Sequence, residues 1–169
     1  MIYTASGDVT TSGDWTILDN DALIIIIDGN LTINGTITKP KDHENSKGLI
    51  VFVVNGTISV ASSIGSVPSL VVIAATDPRS TFPVPAENLY GVFVSKAFKT
   101  GVSNATTPRL IVRGSVITDK LTLERDNAVF NEKGNSQESS ELFIYDPQLL
   151  ITLPDVLKTR QYRWEEVVP

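Results

Sequence analysis

Only one residue of this chain could support catalysis or metal binding by histidine or cysteine. His43 is the only histidine and there is no cysteine. A Ser-His-Asp triad or a histidine-based metal site would have to use His43, but no Gly-x-Ser-x-Gly motif accompanies it and no other metal-ligating residues cluster with it. The lack of cysteine excludes thiolate nucleophiles and disulfides. We therefore interpret His43 as a residue of a charged surface loop.

Paired carboxylates are the second chemistry to consider, because a glycosidase needs two of them about 5–9.5 Å apart. Stacked strands could bring together distant acidic residues, and the candidates are Asp19, Asp21, Asp28, Asp42 and Glu44. Asp19, Asn20 and Asp21 are more simply a polar turn before a strand. With Asp28 they could also offer oxygen ligands to calcium, but the spacing of an EF-hand loop is missing. The sequence thus predicts no catalytic, cofactor-binding or metal-binding residues.

Short apolar runs indicate the elements that would carry any such site. Residues 23–27, 49–54 and 70–73 are rich in Ile, Val and Leu, with Gly, Asn, Asp or Pro between them. Helical periodicity is almost absent before residue 127, so the sequence predicts an all-β fold. Runs without alternation are typical of strands covered on both faces, as in parallel sheets.

A weak repeat accompanies these runs and suggests how the strands are arranged. Each run is followed by a small residue and an alternating segment, with anchors at Gly7, Gly29, Gly56, Ala75, Ala97 and Gly114. The mean spacing is about 21 residues, in the range of solenoid repeats. Glycine suits a corner where the neighbouring coil lies about 4.8 Å away. This pattern predicts a short single-stranded parallel β-helix of about six irregular coils.

An antiparallel arrangement is the alternative. Asn34-Gly35 and Asn55-Gly56 are each flanked by alternating apolar residues. Asn-Gly in that setting is the strongest short-range signal for a β-hairpin. A β-sandwich or jelly roll therefore remains open at this point.

The C-terminal segment has a different character. We predict coils over residues 1–141 and a capping segment of the same domain over 142–169, with a last strand at 142–145. Asp146-Pro147 is suited to start a short helix at 148–153, and Pro154 would end it. Leu157, Tyr162 and Trp164 would then cover the open edge of the last coil.

An ordered series of segments near the C-terminus resembles a known group of proteins. The series consists of residues 110–117, 121–126, 143–147 and 164–169. It resembles the C-terminal β-solenoid domains of large, uncharacterised bacterial cell-surface proteins, some of them associated with pili. The earlier coils are similar only in texture, a texture shared with bactofilins, which polymerise end to end. The Tyr-Asp-Pro and Trp-bearing tail departs from bactofilins and would obstruct end-to-end stacking.

Charge and hydropathy restrict the partners. The net charge is −5 and the sequence pI about 4.8, with scattered cations, so we expect no nucleic-acid partner. The longest apolar runs are far shorter than the roughly 20 residues of a membrane span. Residues 1–8 lack the features of a signal peptide. We expect an excised domain of a longer secreted protein, located outside the cell or on its surface, with a cytoplasmic location as the alternative.

These observations favour a non-enzymatic structural domain of a stalk, adhesin or appendage, whose partners would be other cell-surface proteins or glycans. The first alternative is a carbohydrate-binding or carbohydrate-cleaving β-helix, which exposed aromatic residues on one face would favour; the candidates are Tyr3, Trp15, Tyr90 and Phe93. The second is a bactofilin-like polymer. We interpret Arg109, Arg113 and Arg125 as exposed charges or as salt-bridge partners of Glu165 and Glu166.

Overall fold

The computed structural model describes residues 1–19, 21–39, 47–65, 87–103, 106–107, 109–126, 139–147 and 149. These residues contain ten strands: β1 Ile2–Ser6, β2 Val9–Thr10, β3 Trp15–Thr16, β4 Ala22–Asp28, β5 Leu31–Ile33, β6 Ile37–Thr38, β7 Leu49–Val60, β8 Leu89–Lys99, β9 Leu110–Thr122 and β10 Glu141–Ile144. All their pairings are parallel, so the predicted all-β parallel solenoid is confirmed.

The strands stack in three faces. Face A contains β1, β4 and the segments 51–54, 92–95 and 115–118. Face B contains β2, β5 and the segments 57–60, 97–99 and 120–122. Face C contains β3, β6, Leu89, the segment 110–113 and β10. Within the described residues the chain therefore completes five coils, whereas the sequence anchors predicted about six.

Core residues form columns that run from coil to coil. On face A, Phe52 and Phe93 are register partners whose rings stack at a centroid distance of 5.7 Å and an interplanar angle of 6°. Phe98 of face B meets Phe93 edge-on at 5.9 Å, and Trp15 of face C lies 6.3 Å from Phe52. The three faces thus enclose one apolar interior, and offset or edge-on aromatic pairs of this kind favour close packing.

Glycine marks one corner of the solenoid as predicted, but only in the first three coils. At the corner between faces A and B, a side chain at Gly29 would overlap the carbonyl of Gly7, and one at Gly56 would overlap that of Gly29. Ala97 is instead the register partner of Thr57, on face B beyond the corner. Gly114 lies at the other end of face A, against Gly91. Ala97 and Gly114 therefore do not lie at the same corner as the first three anchors, as the spacing predicted. Ala75 lies outside the described residues.

Ala97 lies beyond the corner between faces A and B because that corner is one residue shorter in coil 4 than in coil 3. Coil 3 passes from face A to face B through Asn55 and Gly56, whereas coil 4 uses Lys96 alone, and the register shifts accordingly between Val54 and Thr57. A single extended residue in coil 4 does not need the small side chain that the earlier coils require. A spacing count that expects glycine or alanine in every coil therefore misplaces this one.

The two Asn-Gly pairs are solenoid corners and not hairpin turns. Ile33 and Ile37, on either side of Asn34-Gly35, pair with Val60 and Leu89. The segments around Asn55-Gly56 likewise pair with neighbouring coils. The antiparallel alternative is therefore wrong. Asn-Gly is used here because a side chain at Gly35 would overlap the carbonyl of Gly13 in the coil before it.

The described part of the C-terminal segment continues the stack. β10 pairs with residues 110–113 and adds a fifth strand to face C. After it, the amide of Leu149 donates to the carbonyl of Asp146 at 3.1 Å, and the Leu149 side chain is buried in the core. The rest of the predicted helix and the lid residues Leu157, Tyr162 and Trp164 lie outside the described residues, so the lid stays a prediction.

Candidate functional site

Polar side chains at the corner between faces A and B bond from one coil to the next. Asp8 accepts hydrogen bonds from the backbone and side-chain amides of Asn30 at 2.9 and 3.0 Å. The Asn30 side chain in turn accepts the amide of Thr57 at 2.9 Å. Asn55 donates to the carboxylate of Asp28 at 3.0 Å. Asp28, which the sequence offered as a candidate ligand or catalyst, thus bonds to a side chain of the next coil, while Asp8 and Asn30 satisfy backbone amides of the next coil.

The corner between faces B and C uses the same device. Asp14 accepts the amide and the hydroxyl of Thr36 at 2.7 and 2.8 Å. These two donors stabilise the carboxylate and lower the pKa of Asp14 below its usual value. The hydroxyl of Thr11 accepts the amide of Asn34 at 3.0 Å. All three bonds span 22 or 23 residues, about one coil, and two of them join a side chain to the backbone of the next coil.

Arg125 is a buried cation that holds three coils together. Its guanidinium donates to the carbonyls of Thr100 at 2.9 Å, Thr107 at 2.8 Å and Ala61 at 3.2 Å. Burial lowers the pKa of Arg125, while Glu141 and Glu124 oppose that shift. The sequence interpretation of this residue as an exposed charge was wrong. Its three acceptors are far apart in the chain, and a guanidinium fork can reach all of them at once.

A second charged cluster lies at the edge between faces C and A. The Lys39 ammonium lies 4.2 Å from the ring centroid of Tyr90 and 3.8 Å from the carboxylate of Asp146. Glu87 accepts the Lys39 amide at 3.3 Å and lies 3.6 Å from Arg113. The cluster holds two cations and two carboxylates around a buried tyrosine. It therefore joins β6, β8, β9 and the segment after β10 by balanced charges.

Burial shifts the pKa values of Lys39 and Tyr90 in this cluster. Desolvation lowers the pKa of Lys39, and the nearby carboxylates of Asp146 and Glu87 partly offset that effect. Burial raises the pKa of Tyr90 above its ordinary value, and the same two carboxylates add to the shift. The Tyr90 hydroxyl donates to the carbonyl of Gly48 at 3.2 Å. Tyr90 is thus a neutral structural donor and not an acid poised near neutral pH.

An open groove of about 680 Å³ runs along the outer side of face A. Its floor is an apolar column from four successive coils, formed by Ile26, Val53, Val94 and Ile117. Its polar rim is the neighbouring corner, formed by Asp28, Asn55, Lys96 and Asp119. Ile26 and Ile117 are 41% and 57% exposed, so the apolar floor of the groove is open to solvent.

The carboxylates of this groove are too far apart for glycoside hydrolysis. Asp28 belongs to coil 2 and Asp119 to coil 5, with Asn55 and Lys96 between them in the same column. Three ladder steps separate their backbones by about 14 Å, beyond the spacing of about 5–9.5 Å that either glycosidase mechanism needs. The Asp28 carboxylate is also engaged by Asn55. The groove therefore lacks a carboxylate pair for this reaction.

The aromatic residues proposed as a glycan platform are not together on the surface. Phe93 and Tyr90 are fully buried, and Trp15 packs against Phe52. Tyr3 is 51% exposed, but it lies on the first coil without the others. Asp21 accepts the amide of Leu18 at 2.9 Å, as expected of a turn. His43, Asp42, Glu44, Glu165 and Glu166 lie outside the described residues, as does Asn20.

No family model, curated protein or solved structure matches this chain. Among the described residues there is no group of three His, Cys, Asp or Glu side chains that could hold a metal ion. In the same part of the chain, no helix is long and apolar enough to cross a membrane. The resemblance to bacterial cell-surface solenoids therefore remains a sequence-based expectation.

Proposed function

We propose that this chain is a non-enzymatic structural domain of a bacterial cell-surface or extracellular protein, forming a solenoid segment of a stalk, adhesin or appendage. The observation that carries the proposal is the use of polar side chains. Asp8, Asp14, Asp28 and Asn30 each bond to the neighbouring coil. An enzyme site requires such groups to face a substrate, whereas a structural element uses them to fix its own register.

The way in which the coils are joined also favours a structural role. Each corner bond connects residues about one coil apart, and Arg125 connects positions 61, 100 and 107. Local opening of one coil then breaks bonds to both neighbours, which favours cooperative resistance to unfolding. A domain on a cell surface benefits from that resistance, since it meets proteases and mechanical load. The absence of cysteine makes the same stability independent of redox conditions.

The proposed location can be tested on the cells that produce the protein. Antibodies raised against the folded domain are applied to intact cells and to permeabilised cells. We expect equal labelling of both, and loss of the intact-cell signal after protease shaving. Labelling that appears only after permeabilisation would contradict the surface location. A cytoplasmic protein probed in parallel on the same cells controls for membrane integrity.

A further inference from the structure

Lys39 and Asp146 form a pair that is shielded from solvent at the edge between faces C and A. Their side chains are only 9% and 12% exposed, and Nζ of Lys39 lies 3.8 Å from Oδ2 of Asp146. The same nitrogen lies over the ring of Tyr90, 4.2 Å from its centroid. An amine and a carboxyl group thus meet in a site that largely excludes water.

The backbone holds both members of this pair in place. Lys39 directly follows β6, the second strand of face C, and Asp146 lies two residues after β10, the fifth. Each is followed in the sequence by a proline, which restricts the backbone of the residue before it to extended conformations. Glu87 also accepts the backbone amide of Lys39 at 3.3 Å. The two side chains therefore start from backbone positions that the fold has already fixed.

Burial changes the balance between the charged and the neutral forms of the pair. Desolvation lowers the pKa of Lys39, although the charges of Asp146 and Glu87 oppose that shift. In a site of low polarity a proton can pass from the ammonium to the carboxylate, because a neutral pair is less costly to bury than two ions. This transfer gives an amine and a carboxylic acid, which are the reactants of amide formation.

We propose that Lys39 and Asp146 form an intramolecular isopeptide bond in the mature protein. Nζ of the neutral lysine attacks Cγ of the protonated Asp146 carboxyl group, and an N–C bond forms. The bond between Cγ and the hydroxyl oxygen then breaks, and the hydroxyl leaves as water with a proton from the nitrogen. One water molecule is released, and no oxidant, reductant or further reactant is needed.

Proximity within the fold favours this condensation. Well-oriented groups in one molecule can react with effective concentrations of about 10⁵–10⁸ M. The flexible four-carbon stem of Lys39 can close the separation of 3.8 Å from Asp146. Because both side chains are almost completely shielded, little water can return to hydrolyse the amide.

The bond gives the solenoid a covalent connection between distant coils. It closes a loop of more than 100 residues between the second and fifth strands of face C, in a chain that has no cysteine for a disulfide. Such a cross-link restricts the unfolded chain as a disulfide does. The inference goes beyond the proposed structural role and does not depend on it, since a chain without the bond can still serve as a structural domain.

Intact-mass spectrometry of the protein, folded first and then denatured, provides the test. The wild type should be lighter than its sequence by the mass of one water molecule. Lys39→Arg keeps the cation but removes the amine, and Asp146→Ala removes the carboxyl group, so both variants should retain their full mass. Lys99→Arg makes the matched change at an exposed lysine and should still lose the water. Trypsin should release residues 1–41 and 134–158 as one joined species, whose fragmentation locates the bond.

The wild type alone is sufficient for the test if the variants do not fold. A wild-type protein that keeps its full mass after several weeks in the folded state would overturn the proposal. Loss of water at any other pair of residues would overturn it as well. The tryptic map distinguishes this second outcome from a bond between Lys39 and Asp146.

Unfolding and gel migration give an independent reading. The linked wild type should melt about 10 °C above Lys39→Arg, because the cross-link persists in the unfolded chain. It should also migrate faster than Lys39→Arg on a denaturing gel, since a chain closed into a loop is more compact. Lys99→Arg should match the wild type in both measurements. Identical migration of the wild type and Lys39→Arg would contradict the covalent bond.

Discussion

The carbonyl oxygen of Gly13 occupies the space that a side chain at Gly35 would need. The two glycines lie at the same corner of successive coils, yet they serve different physical purposes. Gly13 has a φ of 70° and open space where a Cβ would lie, whereas Gly35 has no room for a Cβ because the carbonyl of Gly13 is too close. This corner therefore separates the conformational need for glycine from the steric one.

Alanine substitution should distinguish these two purposes. Gly35→Ala forces the coils apart at the corner and should lower the free energy of unfolding by about 3 kcal/mol. Gly13→Ala meets no neighbour and should cost about 1 kcal/mol, because alanine is less stable at positive φ. Urea unfolding followed by circular dichroism measures both. Equal costs for the two variants would contradict the stacking geometry at this corner.

Arg125 should be among the most sensitive polar positions of the domain. Arg125→Met leaves the carbonyls of Thr100, Thr107 and Ala61 without their donor, and we expect a loss of about 3–5 kcal/mol. Arg125→Lys keeps the charge but can reach fewer acceptors, so its cost should be intermediate. Thermal and urea unfolding of both variants provide the measurement. A cost below about 0.5 kcal/mol for Arg125→Met would show that the guanidinium does not join the coils.

Tyr90 should make the domain sensitive to alkaline pH. Its pKa is raised in the folded state, so its contribution to stability is complete below the unfolded tyrosine pKa of about 10 and is lost as the pH rises above it. Lys39, Glu87, Arg113 and Asp146 surround the ring and remain in the Tyr90→Phe variant. The two proteins therefore differ at this site only by the tyrosine hydroxyl.

The comparison is made by urea unfolding between pH 7 and pH 11. At pH 7, Tyr90→Phe loses the hydrogen bond to Gly48 and should be less stable by about 1 kcal/mol. Above about pH 10 the wild-type protein should lose stability faster than the variant, so that the difference narrows. A difference that stays constant up to pH 11 would contradict the burial of a neutral tyrosine at this site.

The sequence identified the solenoid through local signals, and it failed where long-range register decides the outcome. Gly7, Gly29 and Gly56 were correctly placed at one corner. Gly29 and Gly56 are needed there because the preceding coil leaves no room for a side chain, and Gly7 has a positive φ of 84°. Ala97 was misplaced because coil 4 passes the same corner with Lys96 alone. A one-residue shortening of a corner has no signature in composition or alternation.

The charged clusters were missed for a related reason. Lys39 and Asp146 are more than 100 residues apart in the chain and meet only because four coils bring them to the same edge. From the sequence, Arg125 is expected to be exposed, because arginine is seldom buried without partners. Its partners here are backbone carbonyls, and no residue type in the sequence identifies those in advance. Lys39 and Arg125 could therefore be recognised only once the register was known.

The proposed non-enzymatic structural role is tested most directly by binding and turnover assays on a set of acidic and neutral polysaccharides. The wild-type protein is compared with Asp28→Asn and Asp119→Asn, the two carboxylates of the face A groove, with product release followed by reducing-end and unsaturated-uronate assays. We expect no turnover by any of the three proteins. Turnover by the wild type that falls at least a hundredfold in either variant would contradict the account and assign the groove to catalysis.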